Sequence, residues 1–143
     1  MTATLTTVPP ETAETKRLKL ADDIQCGLPN WIGTQSWWPN FTGIKYTDGV
    51  KWLAEKAHAY WLIDVVGSHW ATSRKVRAEG FVLCRLTVDR DPKAKFMARF
   101  VMMTDCEPDG ETIVVQRIPY TDFPLDEIEL YLCDGVLMLP NEY

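Results

Sequence analysis

The sequence predicts an α+β fold, with one long central helix packed on an antiparallel sheet of about five strands and a C-terminal β-hairpin. Three patterns support this. Helical periodicity runs through residues 46–70, β-rich runs follow from Phe81, and two apolar runs flank Asp134 and Gly135. The chain has 143 residues, of which 46% are hydrophobic and 24% charged. This is the composition of one ordinary globular domain.

The first residues predict a disordered tail. Residues 1–14 are rich in Thr and Pro and show no periodicity, and such segments bury too little apolar surface to fold. They contain no apolar core of a secretory signal. The best candidate for a membrane span is interrupted by Asp64. We therefore expect a single α+β domain over residues 15–143, located in the cytoplasm and not in the membrane.

Two elements are expected before the long helix. A short helix is predicted around residues 16–26, where leucines and an isoleucine supply apolar contacts and Gly27 with Pro29 supplies a stop. The segment "LPNWIGTQSWWPNFTGIKY" then has the Pro and Gly content of a loop. Its tryptophans predict either a lid over the core or a binding surface.

The long helix is predicted to begin after Thr47, a good N-cap, with Asp48 in its first turn. Its apolar residues form two stripes on nearly opposite sides, which is typical of a helix packed between two layers or against a partner. Asp64 and Ser68 fall one turn apart inside the first stripe. If the helix is unbroken, Asp64 therefore lies on the core side.

The second half of the chain predicts strands. "FVLCRLTVD", "KFMARFVMMTD" and "ETIVVQRI" are β-rich and separated by turn residues, so they predict a three-strand antiparallel meander. Asp134 and Gly135 between "EIELYLC" and "VLML" predict a hairpin with a type I′ turn.

Charge is unevenly distributed along the chain. Residues 105–143 carry ten acids and one base, whereas residues 1–104 carry ten acids and fourteen bases, for a net charge of −5. Many of the bases fall in residues 74–99. We expect the basic and acidic segments to lie side by side in one sheet and partly neutralise each other.

Four stretches carry a family resemblance: "GTQSWW", "YTDGVKWLAEKAHAYWLIDVVGS", "IPYTDFPLDEIELYL" and "DGVLMLPNEY". Together they resemble a family of small bacterial proteins described only as a domain of unknown function, and the likeness spans residues 32–143. The resemblance implies a stand-alone cytoplasmic domain and an accessory role beside mobile genetic elements or in phage–host conflict. It implies no established activity and no catalytic residues.

The sequence offers little for catalysis, so we assign no catalytic residue, metal or cofactor. His58 and His69 are too far apart along a helix, about 16 Å, to share an ion. The four cysteines are scattered and include no CxxC, and both nucleophile elbows and phosphate-binding loops are absent. Asp48 is expected to cap a helix, and Asp64 to hydrogen-bond Ser68 or the backbone of the tryptophan-rich loop.

These observations lead to a non-enzymatic interaction domain as the first hypothesis, with an unidentified protein as partner and a homodimer as the expected form of self-association. The acidic balance argues against nucleic acid. Exposed tryptophans and an acidic C-terminal face would bind the partner. Two alternatives are a nucleic-acid-binding protein that uses residues 74–99, and an enzyme with Asp64 as acid or base. The candidate binding residues are Trp37, Trp38, Tyr46, Asp48, Asp64, Ser68 and Trp70.

Overall fold

The computed structural model describes residues 12–33, 36–104 and 110–143. The described chain contains four helices and seven strands, together with two short 3-10 helices at Leu28–Asn30 and Pro140–Glu142. The elements follow in the order α1 Ala13–Gly27, β1 Trp37–Pro39, β2 Lys45–Thr47, α2 Asp48–Ala57, α3 Tyr60–Thr72, α4 Arg74–Ala78, β3 Phe81–Val88, β4 Ala98–Met103, β5 Thr112–Ile118, β6 Glu127–Cys133 and β7 Val136–Met138. The tail predicted for residues 1–14 falls almost wholly outside the described residues.

All seven strands form one mixed sheet in the order β1-β2-β7-β6-β3-β4-β5. Neighbouring strands are antiparallel except β2 and β7, which run parallel with Lys45 opposite Val136. The β1–β2 hairpin therefore joins the rest of the sheet through the last strand of the chain.

The core lies between the helices and one face of this sheet. Side chains alternate between the two faces along each strand. On β3, Cys84 and Leu86 face the helices and are almost fully buried. Leu83 lies on the opposite face in a smaller cluster with Val101 and Met103. No helix of the described chain belongs to that second cluster, so we call this side the open face.

The predicted fold class is right in outline and wrong in two details. The fold is α+β, but the sheet has seven strands and not about five, because β1 and β2 lie in the segment that was expected to be a loop. The expected long helix is two helices. His58 adopts a left-handed conformation with φ of 52° and ends α2, and α3 begins at Tyr60. The apolar stripes drawn for one continuous helix therefore do not continue across residue 58.

The remaining strand predictions are confirmed. β3, β4 and β5 form the expected antiparallel meander, and Asp134 and Gly135 connect β6 to β7 with φ of 49° and 81°. Positive φ at both positions is what a type I′ turn requires.

The expected neutralisation between the basic and acidic segments is also present. Arg85 on β3 lies opposite Glu129 on β6, and the guanidinium contacts Glu129 at 3.1 Å and Glu127 at 3.5 Å. Arg90 contacts Asp126 at 2.7 Å.

Candidate protein-interaction edge

The edge of the sheet formed by β1 exposes several large aromatic side chains. Phe41 in the β1–β2 turn is 84% exposed, Trp37 is 55% exposed, and Tyr60 and Trp38 are 42% and 36% exposed. These four residues, on β1, in the turn after it and at the start of α3, constitute what we call the aromatic edge. Trp37 and Trp38 are successive residues of β1, so their side chains point to opposite faces of the strand. Several large aromatics exposed along one edge are typical of binding surfaces, whereas single ones are common anywhere on a protein.

Trp38 is held in one orientation by residues of α2. Its indole Nε1 donates a hydrogen bond of 2.8 Å to the Asp48 carboxylate, and the Lys51 ammonium lies 3.7 Å from the centre of its ring. Asp48 is thus placed as expected in the first turn of α2, where Thr47 is the N-cap. A ring that is already fixed loses little conformational entropy when a partner covers it.

Tyr46 on β2 and Tyr60 at the start of α3 extend this arrangement. Their rings meet edge to face with 6.5 Å between centroids, and the Tyr60 hydroxyl donates to Glu55 at 3.0 Å. Burial raises the pKa of both phenols, and the Glu55 carboxylate raises each pKa further. Both phenols therefore keep their protons to a higher pH than an ordinary tyrosine does.

Asp64 fixes the β1–β2 turn to α3. Its Oδ1 accepts a hydrogen bond of 2.9 Å from the Asn40 side-chain amide, and Asn40 Oδ1 in turn accepts from the Thr42 backbone N–H at 3.0 Å. A bond from Asp64 to the tryptophan-rich segment was expected, but its partner is a side chain and not the backbone. The core-side position expected for Asp64 depended on an unbroken helix, and the break at His58 removes that condition: α3 buries Leu62, Ile63 and Val66, whereas Asp64 is half-buried.

The turn also packs directly on α3. A Cβ added at Gly67 would lie 1.9 Å from Thr42 Oγ1 and 3.1 Å from Asn40 Oδ1, so only glycine permits this close approach. On the next turn of the helix, Trp70 fills the space beside Gly43 and Gly135, two glycines with positive φ. The position of the aromatic edge is therefore determined by α3.

Backbone pairing at this edge is limited. Asn40 N–H donates to Ile44 at 2.9 Å and Trp38 pairs with Tyr46, so the backbone groups of Trp37 and Pro39 point away from β2. Pro39 has no N–H. Because the outward side of this three-residue strand offers so few donors, its side chains provide a better binding surface than its backbone.

The structure brings together most of the predicted binding residues. Trp37, Trp38, Tyr46 and Asp48 lie at the aromatic edge or directly behind it, and Asp64 and Trp70 support the turn. Ser68 does not join them. Its side chain is exposed, and its carbonyl accepts from the Thr72 hydroxyl.

Three residues of this region were missed: Asn40, Phe41 and Tyr60. Tyr60 falls within the apolar periodicity of residues 46–70, which indicated a core position. Asn40 and Phe41 stand in "PNFTG", where the Pro, Asn and Gly content indicated only a turn.

The described residues contain no group of three His, Cys, Asp or Glu side chains placed to hold a metal ion. Cys26, Cys84 and Cys133 are free thiols, and Cys106 lies outside the described residues.

Among the helices that the structure describes, none is long and apolar enough to cross a membrane. The aromatic edge offers exposed aromatic rings and hydrogen-bonding groups, which are the groups that a binding surface uses.

The model of a family of unknown function, DUF6876, matches residues 22–143, a range that includes the aromatic edge, the helices that support it and the open face. Searches among curated proteins and among solved structures find no match. The chain therefore belongs to the DUF6876 family of unknown function.

Proposed function

We propose that this protein is a non-enzymatic interaction module that binds another protein through the aromatic edge. The observation that carries the proposal is the exposure of Trp37, Trp38, Phe41 and Tyr60 around one supported hairpin. Tryptophan and tyrosine are the residues most enriched among those that dominate the energy of protein–protein binding. They also bring large contact area with few rotatable bonds.

The surroundings of the aromatic edge favour a protein partner over nucleic acid. Asp48 and Glu55 are hydrogen-bonded to the aromatic rings themselves, and carboxylates at that position would repel phosphates. The partner expected here presents apolar side chains together with hydrogen-bond donors. A second copy of the chain is one such partner, so a homodimer through this edge is part of the proposal.

The acidic C-terminal face contributes less than the sequence suggested. Asp126, Glu127 and Glu129 each contact an arginine of the same molecule. Their charge is therefore partly neutralised before any partner arrives. We accordingly assign the binding energy to the aromatic edge and a secondary role to this face.

The two alternatives have less support. In the basic 74–99 segment, Arg85 and Arg90 contact carboxylates, so the bases do not form one free surface. Asp64 has a structural partner in Asn40, which supports a positioning role over acid–base chemistry. A cytoplasmic location and an accessory role beside mobile elements remain proposals that rest on sequence composition and on the family resemblance.

The test compares three forms of the full chain: the native sequence, the double variant Trp37→Ser/Phe41→Ser, and Tyr120→Ser as the matched control. Tyr120 is 76% exposed but lies beyond β5, at the opposite edge of the sheet. Each tagged form is used for affinity capture from the native cell with quantitative mass spectrometry. A captured protein is then purified and titrated against all three forms, with circular dichroism as the check of folding.

We expect the native chain and the Tyr120 variant to bind the same protein, and the double variant to bind it about tenfold more weakly or worse. The oligomeric state of the three forms is compared by sedimentation, and we expect the double variant to self-associate less than the other two. Equal affinity of all three folded forms for every captured protein, together with equal oligomeric state, would reject the aromatic edge as the binding surface.

A further inference from the structure

The open face contains a groove that the proposed function does not use. Its volume is about 670 Å3, and it extends over β3, β4 and β5 and the segment before β4. Pockets of about 300–1,000 Å3 are typical of small-molecule sites. Val101 and Met103 form part of its floor, with Phe96 beside them.

The charged side chains in this groove are mainly basic. Four cations, Arg85, Lys95, Arg99 and Arg117, line it together with two acids, Asp89 and Glu127. Glu127 is engaged by Arg85 at 3.5 Å, and Asp89 Oδ1 accepts from the backbone N–H of Asp91. Asp89 keeps its charge, so the four cations and two acids leave the groove with an excess of two positive charges, carried by Lys95, Arg99 and Arg117 against Asp89.

Arg99 and Arg117 face each other directly across the β4–β5 ladder. Side chains at such positions have Cβ atoms about 4.5–5.5 Å apart, and like charges there are destabilising. Across residues 12–33, 36–104 and 110–143, the ion pairs involve neither of these arginines. Arg117 instead lies with its guanidinium carbon 5.7 Å from the centre of the Phe96 ring.

Two arginines that face each other across the strands lining this groove fit an anion, because arginine forks bind phosphate oxygens in pairs. We propose that the groove binds a small phosphate-bearing molecule, with the phosphate between Arg99 and Arg117 and a planar or apolar part over Phe96 and Val101. A doubly charged phosphate would offset the repulsion between the two arginines. The groove volume accommodates a ligand of about nucleotide size.

The test uses three probes and three variants of the full chain. The probes are adenosine monophosphate, adenosine and inorganic phosphate, titrated by calorimetry at low salt. Adenosine lacks the phosphate and inorganic phosphate lacks the planar part. The variants are Arg99→Gln, Arg117→Gln and, as the control, Arg74→Gln, whose exposed side chain on α4 lies outside the groove.

We expect adenosine monophosphate to bind more tightly than either fragment. We expect Arg99→Gln and Arg117→Gln each to weaken it by about tenfold or more, and Arg74→Gln to leave it unchanged. Without ligand, Arg117→Gln should melt at a higher temperature than the native chain, since it removes the like-charge contact. A merely structural arginine would give the opposite shift.

Three results would overturn the proposal. The first is that none of the probes binds at millimolar concentration. The second is equal affinity for adenosine monophosphate and inorganic phosphate, which would show that the planar part of the ligand adds no affinity. The third is binding of a single-stranded oligothymidine that Arg74→Gln weakens as much as Arg117→Gln does, which would indicate a diffuse polyanion surface.

Discussion

The Asn40 side-chain amide donates a hydrogen bond of 2.9 Å to Asp64 Oδ1, and this contact joins the turn of the edge hairpin to helix α3. Both residues are partly buried. A hydrogen bond to a charged group in such a site contributes more than a neutral one at the surface. The conformation of the aromatic edge should therefore depend on a residue, Asp64, that is not itself part of the binding surface.

Asp64→Ala should lower the free energy of unfolding by about 1–2 kcal/mol, because the Asn40 amide loses its acceptor. Asp64→Asn keeps an acceptor oxygen and should lose about half of that amount. Chemical denaturation of both variants, and of Asn40→Ala alone and combined with Asp64→Ala, measures the coupling between the pair. Additive effects of Asn40→Ala and Asp64→Ala would show that the hydrogen bond contributes nothing.

Gly67→Ala should destabilise the fold, although alanine ordinarily favours a helix over glycine by about 1 kcal/mol. The added methyl group would lie 1.9 Å from Thr42 Oγ1 and 2.8 Å from Thr42 Cβ, so the turn must move. We expect a net loss of about 1–3 kcal/mol, as is usual for overpacking. Thr42→Gly in the same chain removes the colliding atoms and should recover part of the loss. If the double variant is no more stable than Gly67→Ala, the clash is not the cause.

Thr47→Val should lower stability by about 2–3 kcal/mol. The Thr47 hydroxyl donates to the buried Glu142 carboxylate at 2.6 Å and accepts from the Val50 backbone N–H at 3.3 Å, so valine removes the helix cap and a donor to a charge together. Thr12→Val is the matched control, since Thr12 caps α1 through Thr15 N–H at an exposed site. An equal effect at the two threonines would mean that the contact with Glu142 adds nothing.

Stability should fall above about pH 8.5, where an unfolded cysteine loses its proton. Burial raises the pKa of the Cys84 thiol far above its ordinary value, and burial raises that of Cys133 as well. The unfolded chain therefore releases these protons first as pH rises, so the contribution is complete below pH 8.5 and is lost with increasing pH, for the buried Cys84 at up to about 1.4 kcal/mol per unit. Tyr46 and Tyr60 act in the same direction from about pH 10.

The variant that tests this dependence is Cys84→Ala, which should show a shallower decline of unfolding free energy between pH 8.5 and 10. Val82→Ala truncates a neighbouring buried residue on the same face of β3 and should lower stability while keeping the native slope. The same slope in Cys84→Ala as in Val82→Ala would contradict the assignment to Cys84.

The parts of the fold that could be predicted from sequence are those set by local chemistry. Asp134 and Gly135 tolerate positive φ, so the hairpin they form is visible in a dipeptide. The β-rich runs of the meander also alternate enough to be recognised. Thr47 was identified as an N-cap because its hydroxyl serves the first turn of its own helix.

The parts that could not be predicted depend on contacts distant in sequence. β1 and β2 have three residues each and become strands because β7 pairs with β2 from about ninety positions away. The sequence around His58 contains no Gly or Pro that would predict a break, and apolar periodicity on both sides indicated one helix. The facing of Arg99 and Arg117 follows from the β4–β5 register, which an irregularity at Met102 and Met103 shifts.

The parallel ladder between β2 and β7 has a consequence for synthesis of the chain. The β1–β2 hairpin is translated about ninety residues before β7, yet among the described strands β7 is its only neighbour in the sheet outside the hairpin. Closing such a long connection is slow because its entropy is lost before the contact forms. Trp37 and Trp38 therefore remain without their sheet until β7 has been made, and a ribosome-bound chain halted before Val136 would present them to chaperones.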